Sequence, residues 1–151
     1  MEILDHVSML LRNKGPDVYS VRSDESVLSA IQVLADRGIG ALLVIDDGQL
    51  VGIMSERDYA RKVILKGRSS NATRVGEIMT RSPITIRGDA SVDDAMRLMT
   101  DKRIRHLPVL DAGGKLMGVL SIGDVVNWIV TSQKQTIEQL HTYITGSSVA
   151  S

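Results

Sequence analysis

The sequence has no cysteine and no phenylalanine, and it has one tryptophan among 151 residues. The absence of cysteine excludes disulfides, thiolate nucleophiles and cysteine-ligated zinc. The three histidines, His6, His106 and His141, are far apart in the sequence, so we expect no histidine-rich metal site. Because aromatic residues make up only 3% of the chain, the core must be built from Val, Ile, Leu, Met and Ala.

An excess of charge of either sign is also missing, because 18 basic residues balance 18 acidic ones. Nucleic-acid binding depends on a basic face and is not expected, whereas a small anionic ligand needs only a few placed cations. No apolar run approaches the roughly 18 residues that a membrane span requires. The acidic start Met1–Asp5 does not resemble a secretory signal. The expected location is therefore the cytoplasm.

One short pattern, Gly-apolar-apolar-Ser-x-x-Asp, occurs twice, at Gly52–Asp58 and at Gly118–Asp124. These two junction motifs belong to a longer repeat, in which Arg22–Asp58 aligns with Arg87–Asp124. One extra glycine in the second copy lengthens the offset between the copies by one position before the motif. Of 37 aligned pairs, 15 are identical. This is an internal duplication.

Each copy is predicted to form strand, helix, strand, strand and helix. The first copy gives strand Val18–Val21, helix Val27–Arg37 after the N-cap Ser26, strands Ala41–Ile45 and Leu50–Met54, and a helix from Ser55 to about Leu65. One three-stranded sheet has too little core to stand alone. We therefore predict an α/β (α+β) fold in which two such units pack with pseudo-two-fold symmetry, with the sheets face to face and the helices outside.

Three further segments complete the predicted organisation. They are a helix over Ile3–Arg12, stopped by Gly15-Pro16, a helical patch over Val75–Met79, and a further helix in the tail from Val130, with Gly146–Ser151 frayed. The expected divisions are an N-terminal helix and connector (1–16), the first repeat (17–68), a polar linker (69–74), the second repeat (75–131), and a C-terminal helix and tail (132–151).

The Ser-x-x-Asp pattern at each junction has two interpretations. Serine followed by an acid three residues later is typical of a capping box at a helix N-terminus. The same groups could hold a nucleoside monophosphate, because a ribose diol needs a carboxylate acceptor and a phosphate needs a hydroxyl and helix N-terminal amides. Two copies at matching junctions favour the second interpretation without excluding the first.

A basic cluster, Arg103–His106, precedes the strand Leu107–Leu110 of the second repeat. It could be a solvated turn, or it could lie at the mouth of a cleft between the repeats. The first repeat has Gly40-Ala41 at the place of Arg105-His106, so the two clefts should not be equivalent. Gly123, which aligns with Arg57, adds a second asymmetry.

Catalysis is not expected from this sequence. It has no Gly-x-Ser-x-Gly elbow, no Walker motif and no dinucleotide-binding Gly-x-Gly-x-x-Gly. His106, the one histidine near the expected cleft, lies among arginines that should depress its pKa, and nothing evident orients it as a base.

The repeated unit resembles the CBS domain, which occurs as tandem pairs. The resemblance rests on Asp24–Val27 and Asp89–Val92, on His106–Asp111 and on the two junction motifs, and it covers about residues 3 to 131. The stretches GIMSERDYARK and KRIRHLPVLD, with TIEQL in the tail, are similar to stand-alone CBS-pair proteins of bacteria and of plant organelles. The resemblance implies that AMP, ADP, ATP, NAD(H) or S-adenosylmethionine binds in the clefts between repeats.

The resemblance also implies three groups of site residues. Those beside the ribose and its phosphate, with the two carboxylates on the ribose hydroxyls, are Ser55, Asp58, Ser121 and Asp124. Those that meet phosphate are Arg57, Arg105 and His106. Those that line the adenine pocket are Ser20, Ile39, Gly40, Ala41, Thr85, Ile104 and Pro108. Because Gly40-Ala41 replaces the basic pair in the first repeat, a phosphate near that half must use cations from elsewhere.

The leading hypothesis is a non-catalytic regulatory module that binds an adenine nucleotide and signals to a partner through the geometry of a homodimer. The alternatives are a protein-interaction scaffold in which nucleotide is structural or absent, and a weak nucleotide-processing enzyme. The sequence does not choose among AMP, ATP and NADH, because they share the adenosine half that these residues address. The predicted dimer surface consists of apolar positions on the second helices: Tyr59, Val63, Val125, Trp128 and Ile129.

Overall fold

A computed structural model describes residues 3–15 and 17–145. The predicted stop at Pro16 and the frayed tail Gly146–Ser151 lie outside the described residues. The helices are α1 (Val7–Lys14), α2 (Val27–Arg37), α3 (Glu56–Tyr59), which continues as a π-helix (Ala60–Ile64), α4 (Val75–Ile78), α5 (Val92–Lys102) and α6 (Ile122–Thr145). The strands are β1 (Ser20–Val21), β2 (Ala41–Asp46), β3 (Gln49–Ser55), β4 (Thr80–Arg81), β5 (Ile86–Arg87), β6 (His106–Leu110) and β7 (Leu116–Ser121).

The mixed α/β prediction and the duplication are confirmed by two small sheets of the same design. In the order β1-β2-β3-β4, β1 is parallel to β2 and the other neighbours are antiparallel. The second sheet has the order β5-β6-β7, with β5 parallel and β7 antiparallel to β6. Both hairpins carry an irregularity at the equivalent place, after Val44 and after Val109. The two halves therefore share their register as well as their order of elements.

Helices pack on each sheet and form one apolar core with it. Each core also includes a segment that, along the chain, precedes the strands of the other sheet. The short helix α4, which precedes the strands of the second sheet, buries Val75 and Ile78 in the core of the first sheet. The N-terminal segment, which precedes the first repeat, buries Val7, Leu10 and Leu11 in the core of the second. This exchange ties the two halves together and brings their junctions side by side.

The glycine of the first junction motif is required by this exchange. A Cβ on Gly52 would lie 2.6 Å from Sδ of Met79 and 2.9 Å from the carbonyl oxygen of Thr80. Both distances are shorter than any side chain tolerates, so β4 can pair with β3 only where residue 52 lacks a side chain. At the equivalent Gly118 the neighbour is Leu11, at 3.4 Å.

The structure corrects the predicted bounds of the first helix and adds a strand. Helix α1 begins at Val7 rather than Ile3, because the carbonyls of Ile3 and Asp5 accept the first N–H groups of α5, from Asp93 and Val92. The first sheet has a fourth strand, β4, which no periodicity predicted because it is two residues long.

The helices that follow both junctions also differ from the prediction. The helix after Ser55 has only one α-helical turn before it widens into the π-helix. The C-terminal helix is not separate, because α6 runs without a break from Ile122 to Thr145.

The predicted dimer surface is wrong for two of its members, because their side chains pack within the chain. Val63 and Val125 are fully buried in the two cores. Trp128 packs on the second core and donates from Nε1 to Oδ2 of Asp5 at 2.9 Å. The apolar side chains that these helices expose are others: Ile64, Leu65, Val126 and Val130.

Candidate ligand-binding cleft

A cavity of about 580 Å³ lies where the first junction meets the second repeat. Its lining comes from both halves of the chain and from the segment between them. The residues are Gly40, Ile53, Ser55, Glu56, Arg57, Asp58, Arg61, Lys62, Thr80, Ser82, Pro83, Ile84, Ile104, Arg105 and His106. Seven of them were predicted from the sequence: Gly40, Ser55, Arg57, Asp58, Ile104, Arg105 and His106.

The carboxylate of Asp58 is the most buried polar group of this cleft, with 9% of the residue exposed. Its Oδ2 accepts from the N–H of Ser55 at 2.9 Å and from the Ser55 hydroxyl at 3.0 Å, while Ser55 Oγ accepts from the N–H of Asp58. The capping box is therefore present. It leaves Oδ1 directed to other partners, Nζ of Lys62 at 3.1 Å and the Thr80 hydroxyl at 3.4 Å. One oxygen thus fixes the side chain while the other is held only by exchangeable partners.

Four cationic side chains line the cleft against two carboxylates. Arg57, Arg61 and Lys62 come from α3 and the π-helix, and Arg105 comes from the turn before β6. The acids are Glu56 and Asp58. The π-helix carries residues 61 and 62 of this lining, one turn beyond residues 57 and 58. The lining therefore carries an excess of two positive charges (4 − 2), which favours an anion.

His106 faces Gly40 of the first repeat, so the two matching positions meet across the cleft. A Cβ on Gly40 would lie 3.4 Å from the imidazole ring, which is an ordinary van der Waals contact. Burial lowers the pKa of His106 below its ordinary value, and the charges of Lys14, Arg105 and Arg57 act in the same direction, opposed by Asp124. Burial, rather than the arginines of the sequence prediction, is the leading cause.

The wall formed by Ser82, Pro83 and Ile84 was not predicted from the sequence. This segment follows β4, which pairs Arg81 with Gly52 at the edge of the first sheet. Ser82 has a φ of 48°, a left-handed conformation that is uncommon for a residue with a Cβ. A turn imposed by the two-residue strand gives no periodic signal, and Pro83 was the only local indication of it.

The second junction is arranged differently. Asp124 Oδ2 accepts from the N–H of Ser121 at 2.9 Å, and Ser121 Oγ accepts from the N–H of Asp124 at 3.1 Å. The same carboxylate oxygen accepts from Nζ of Lys14 at 2.7 Å. Burial alone would raise the pKa of the Asp124 carboxyl, but the hydrogen bonds from Lys14 and Ser121 outweigh it and hold the pKa below its ordinary value.

The remaining predicted residues do not line the large cavity. Ser20 borders a separate surface pocket beside Tyr19 and Arg37. A cavity of about 280 Å³ between α1, the segment that follows it and β7 is lined without Ser121 or Asp124. The others outside the 580 Å³ cavity are Ile39, Ala41, Thr85 and Pro108.

Among residues 3–15 and 17–145, no group of three or more His, Cys, Asp or Glu side chains is placed to hold a metal ion. No helix in these ranges is both long and apolar enough to cross a membrane.

Comparison with known proteins identifies the same repeat. The profile of the family described as CBS domain matches residues 14–64 and 75–131. The mitochondrial CBS domain-containing protein CBSX3 of Arabidopsis thaliana is 43% identical over 149 residues, which cover 93% of this chain and 72% of that protein. A protein with CBS domains from Burkholderia ambifaria has a solved structure with a TM-score of 0.82 and 48% identity, covering 85% of this chain and 96% of that one.

Two solved neighbours contain adenosine compounds. CBSX2, whose Arabidopsis thaliana sequence is chloroplastic, is in complex with AMP, with a TM-score of 0.68, 33% identity and coverage of 85% of this chain and 98% of that one. The CBS domain pair of MJ0100 is in complex with 5′-methylthioadenosine and S-adenosyl-L-methionine, with a TM-score of 0.75, 26% identity and coverage of 85% and 98%.

Proposed function

The chain belongs to the CBS-domain family, and on that basis we propose that it is a regulatory module that binds a phosphorylated adenosine compound in the large cleft between the repeats. AMP, ADP, ATP and NAD(H) are the candidate ligands. The two repeats are taken as residues 17–68 and 75–131. The observation that carries the proposal is the convergence of the Asp58 carboxylate, an apolar wall and four cations on one cavity.

The three parts of the cleft match the three parts of an adenosine phosphate. Ile53, Ile84 and Ile104 provide apolar surface for the base, and the backbone of the Ser82–Ile84 wall provides hydrogen-bonding groups for its edge. The diol of the ribose would donate to Oδ1 of Asp58, replacing the bonds from Lys62 and Thr80. Lys62, once released, joins the cations around the phosphates.

The charge of the lining favours anionic ligands over S-adenosylmethionine. The sulfonium and ammonium groups of that compound would face the four cationic side chains of the cleft. A phosphate chain would instead form charge-assisted hydrogen bonds with the arginines. The first repeat lacks its own basic pair, and in this arrangement Arg105 and His106 of the second repeat supply the missing positive groups.

Ligand binding would bias the geometry of the whole chain, because the site is shared between repeats. Arg57 already donates from Nη1 to the carbonyl of Arg103 at 3.3 Å across the cleft. A ligand that bridges Asp58 and Arg105 favours the arrangement in which the two halves are closest. The proposed mechanism is therefore a population shift that a dimer partner or a regulated protein detects.

The homodimer is proposed to form through the apolar side chains that the second helices expose, Ile64, Leu65, Val126 and Val130, which are between 46% and 77% exposed. Ile64 and Val130 match each other in the alignment of the two repeats, and an isologous interface around a two-fold axis uses the same patch on both protomers. Light scattering of the chain should give twice the mass of one protomer, and Val130→Lys with Leu65→Lys should halve it. An unchanged mass in this double variant would place the interface elsewhere.

The test of the ligand is calorimetric titration with AMP, ADP, ATP, NADH and S-adenosylmethionine in turn. The proposal expects saturable binding of at least one phosphorylated compound and weaker binding of S-adenosylmethionine. Protein that is verified to be free of nucleotide and that binds none of the five would refute it. The cytoplasm is the proposed compartment, to be checked by fractionation of cells that express the natural gene.

A protein-interaction scaffold is the second candidate, because α6 exposes a continuous apolar stripe beyond the repeats. Ile137, Leu140 and Ile144 are between 56% and 79% exposed and lie on one side of the helix. A partner set that is captured equally with and without nucleotide would favour this function. We propose no catalytic activity; recovery of AMP, ATP and NAD unchanged after incubation is the expected result.

A further inference from the structure

Helix α6 has 24 residues and extends beyond the second repeat. Its first two turns pack on the second core through Ile122, Val125, Trp128 and Ile129. From residue 133 to residue 145, every side chain whose burial the structure describes is exposed. The C-terminal half of α6 is therefore not covered by the described part of the chain.

The exposed apolar side chains of α6 recur at alternating spacings of three and four residues. In a heptad abcdefg, the a positions are residues 130, 137 and 144, and the d positions are residues 126, 133 and 140. This period of 3.5 residues is the one that winds two helices into a left-handed coiled coil. The five apolar members of the set are between 46% and 79% exposed. We call the set the α6 seam; it consists of Val126, Val130, Gln133, Ile137, Leu140 and Ile144.

We infer that the α6 seam packs against the α6 seam of a second copy of this chain, as a parallel two-stranded coiled coil. The three a positions all hold β-branched residues and position 140 holds leucine at d, a combination that favours two parallel strands. An isolated helix shorter than about 12–15 residues is marginal in water, so a partner would stabilise the uncovered half of α6. The inference goes beyond the proposed function, since it requires no ligand and places a contact outside both repeats.

The charges beside the seam favour the parallel direction. Lys134 and Glu138 are the only Lys, Arg, Asp or Glu between residues 130 and 145, and Lys134 occupies an e position. In the antiparallel pair that overlaps every layer, Val130 meets Leu140 of the partner subunit, and the two copies of Lys134 face each other. In a parallel pair an e position faces a g position, so the aliphatic stem of Lys134 covers Ile129 of the partner subunit.

Gln133 is the polar member of the seam, and it also distinguishes the two directions. In a parallel pair it meets its own copy, and the two amides can bond each other, because an amide both donates and accepts. In the antiparallel pair it would meet Ile137 of the partner subunit, which offers no polar group. A polar residue in such a seam lowers the stability of the pair but fixes its register and the number of strands.

Cysteine cross-linking tests the direction and the register, because the chain has no cysteine of its own. Gln133→Cys and Leu140→Cys each place one thiol on the seam, where a parallel pair sets it against its own copy. Gln135→Cys is the matched control, because it replaces an exposed glutamine at the f position, on the side of the helix away from the seam. Each protein, freed of nucleotide, is equilibrated in a glutathione redox buffer, and the covalent dimer is measured on a non-reducing gel.

The two seam variants should each give at least tenfold more covalent dimer than Gln135→Cys. The antiparallel pair would separate the two copies of residue 140 by ten residues, about 15 Å of helix. A chain that is a dimer in light scattering but does not cross-link through Leu140→Cys would therefore overturn the parallel coil. A chain that is a monomer would also overturn it, and the seam would then be a surface for a different protein, as in the scaffold function.

A second measurement follows the strength of the contact. The dissociation constant of the dimer, measured by dilution, should fall at least tenfold in Gln133→Leu, because the polar member of the seam becomes apolar. It should rise at least tenfold in Ile137→Lys, which places a charge in the seam. Gln135→Leu is the control and should leave the constant unchanged. Equal constants for Gln133→Leu and Gln135→Leu would refute the inference.

Because these experiments use no ligand, their outcome is distinguishable from that of the nucleotide titrations. Failure of the Leu140→Cys cross-link in a protein that dimerises and binds nucleotide refutes the coil and leaves the proposed function standing. Cross-linking through both seam positions in a protein that binds no nucleotide supports the coil, while the proposed ligand site fails.

Discussion

Replacement of Asp58 by asparagine is the sharpest test of the first cleft. The change keeps the size of the side chain and removes its charge, so a diol that bonds Oδ1 loses a charge-assisted hydrogen bond. Such a bond contributes about 1.5–3 kcal/mol, which corresponds to an increase in Kd of about 10- to 150-fold. The ion pair with Lys62 that the ligand must replace offsets little of this, because Lys62 is 44% exposed and such pairs contribute about 0–1 kcal/mol.

The same substitution also weakens a helix cap, and the chain offers a matched control for that effect. Asp94 forms a capping box with Ser91 at the start of α5, with the N–H of Asp94 donating to Ser91 Oγ at 3.0 Å, and it is outside the cleft. Removing an acid from the first turn of a helix costs about 0.3–1 kcal/mol, so Asp58→Asn and Asp94→Asn should lower the free energy of unfolding by similar amounts.

Calorimetry with the nucleotide that binds the unaltered chain, together with urea unfolding of all three proteins, separates the two roles. Only Asp58→Asn should lose affinity. If Asp58→Asn and Asp94→Asn bound nucleotide equally well, the carboxylate at residue 58 would be a cap and nothing more, and the proposed position of the ribose would be wrong.

Three further predictions use other parts of the molecule. Because burial holds the pKa of His106 below its ordinary value, the ring is neutral at pH 7, and a bound phosphate should raise this pKa. Nucleotide affinity should therefore increase as the pH falls from 8 to 6, and His106→Gln should remove that increase. A flat pH profile of affinity in the unaltered chain would contradict this prediction. The free protein should lose stability as the pH falls below the unfolded value of about 6.5, because the unfolded chain then binds more protons. Gly52→Ala should destabilise the fold by about 1–3 kcal/mol, and Gly118→Ala should destabilise it less. The new Cβ at residue 52 would meet Met79 Sδ at 2.6 Å, whereas the one at residue 118 would meet a leucine methyl at 3.4 Å. Equal losses of unfolding free energy for the two variants, measured in urea, would count against the exchange of segments. Trp128→Phe removes the hydrogen bond to the Asp5 carboxylate that anchors the N-terminal segment. It should lower the free energy of unfolding by about 1.5–3 kcal/mol. The control is Tyr59→Phe, which loses only a hydrogen bond between two hydroxyls.

Patterns repeated along the sequence predicted most of the fold. The identities between the two copies required two units of one design. The apolar spacing predicted a buried face of α2 with Val27, Ala30, Ile31 and Leu34, and all but Ile31, which is half-buried, are buried. The capping serines 26, 55 and 121 marked helix starts that the hydrogen bonds confirm. These signals are local, since a cap or an amphipathic face depends on residues within a few positions of each other.

The elements that were missed depend on contacts between distant segments. Strand β4 exists because β3 has a glycine at residue 52 that lets it approach. The wall Ser82–Ile84 is placed by that strand. Val63 and Val125 were taken for surface residues because the sequence does not say which of two apolar stripes on a helix faces its own core.

The sequence by itself determined the duplication, the residue types at the two junctions and the one-sided placement of the basic residues. Each of these follows from the residue types and their order along the chain. Only the tertiary structure decided how the halves combine. It joined Asp58 of one repeat with Arg105 and His106 of the other in one cavity, and it set Lys14 against Asp124, a pair 110 residues apart. The physical reason is that each core is completed by the segment that precedes the strands of the other sheet, so the clefts form where the chain crosses between the halves, and no local pattern shows such a crossing.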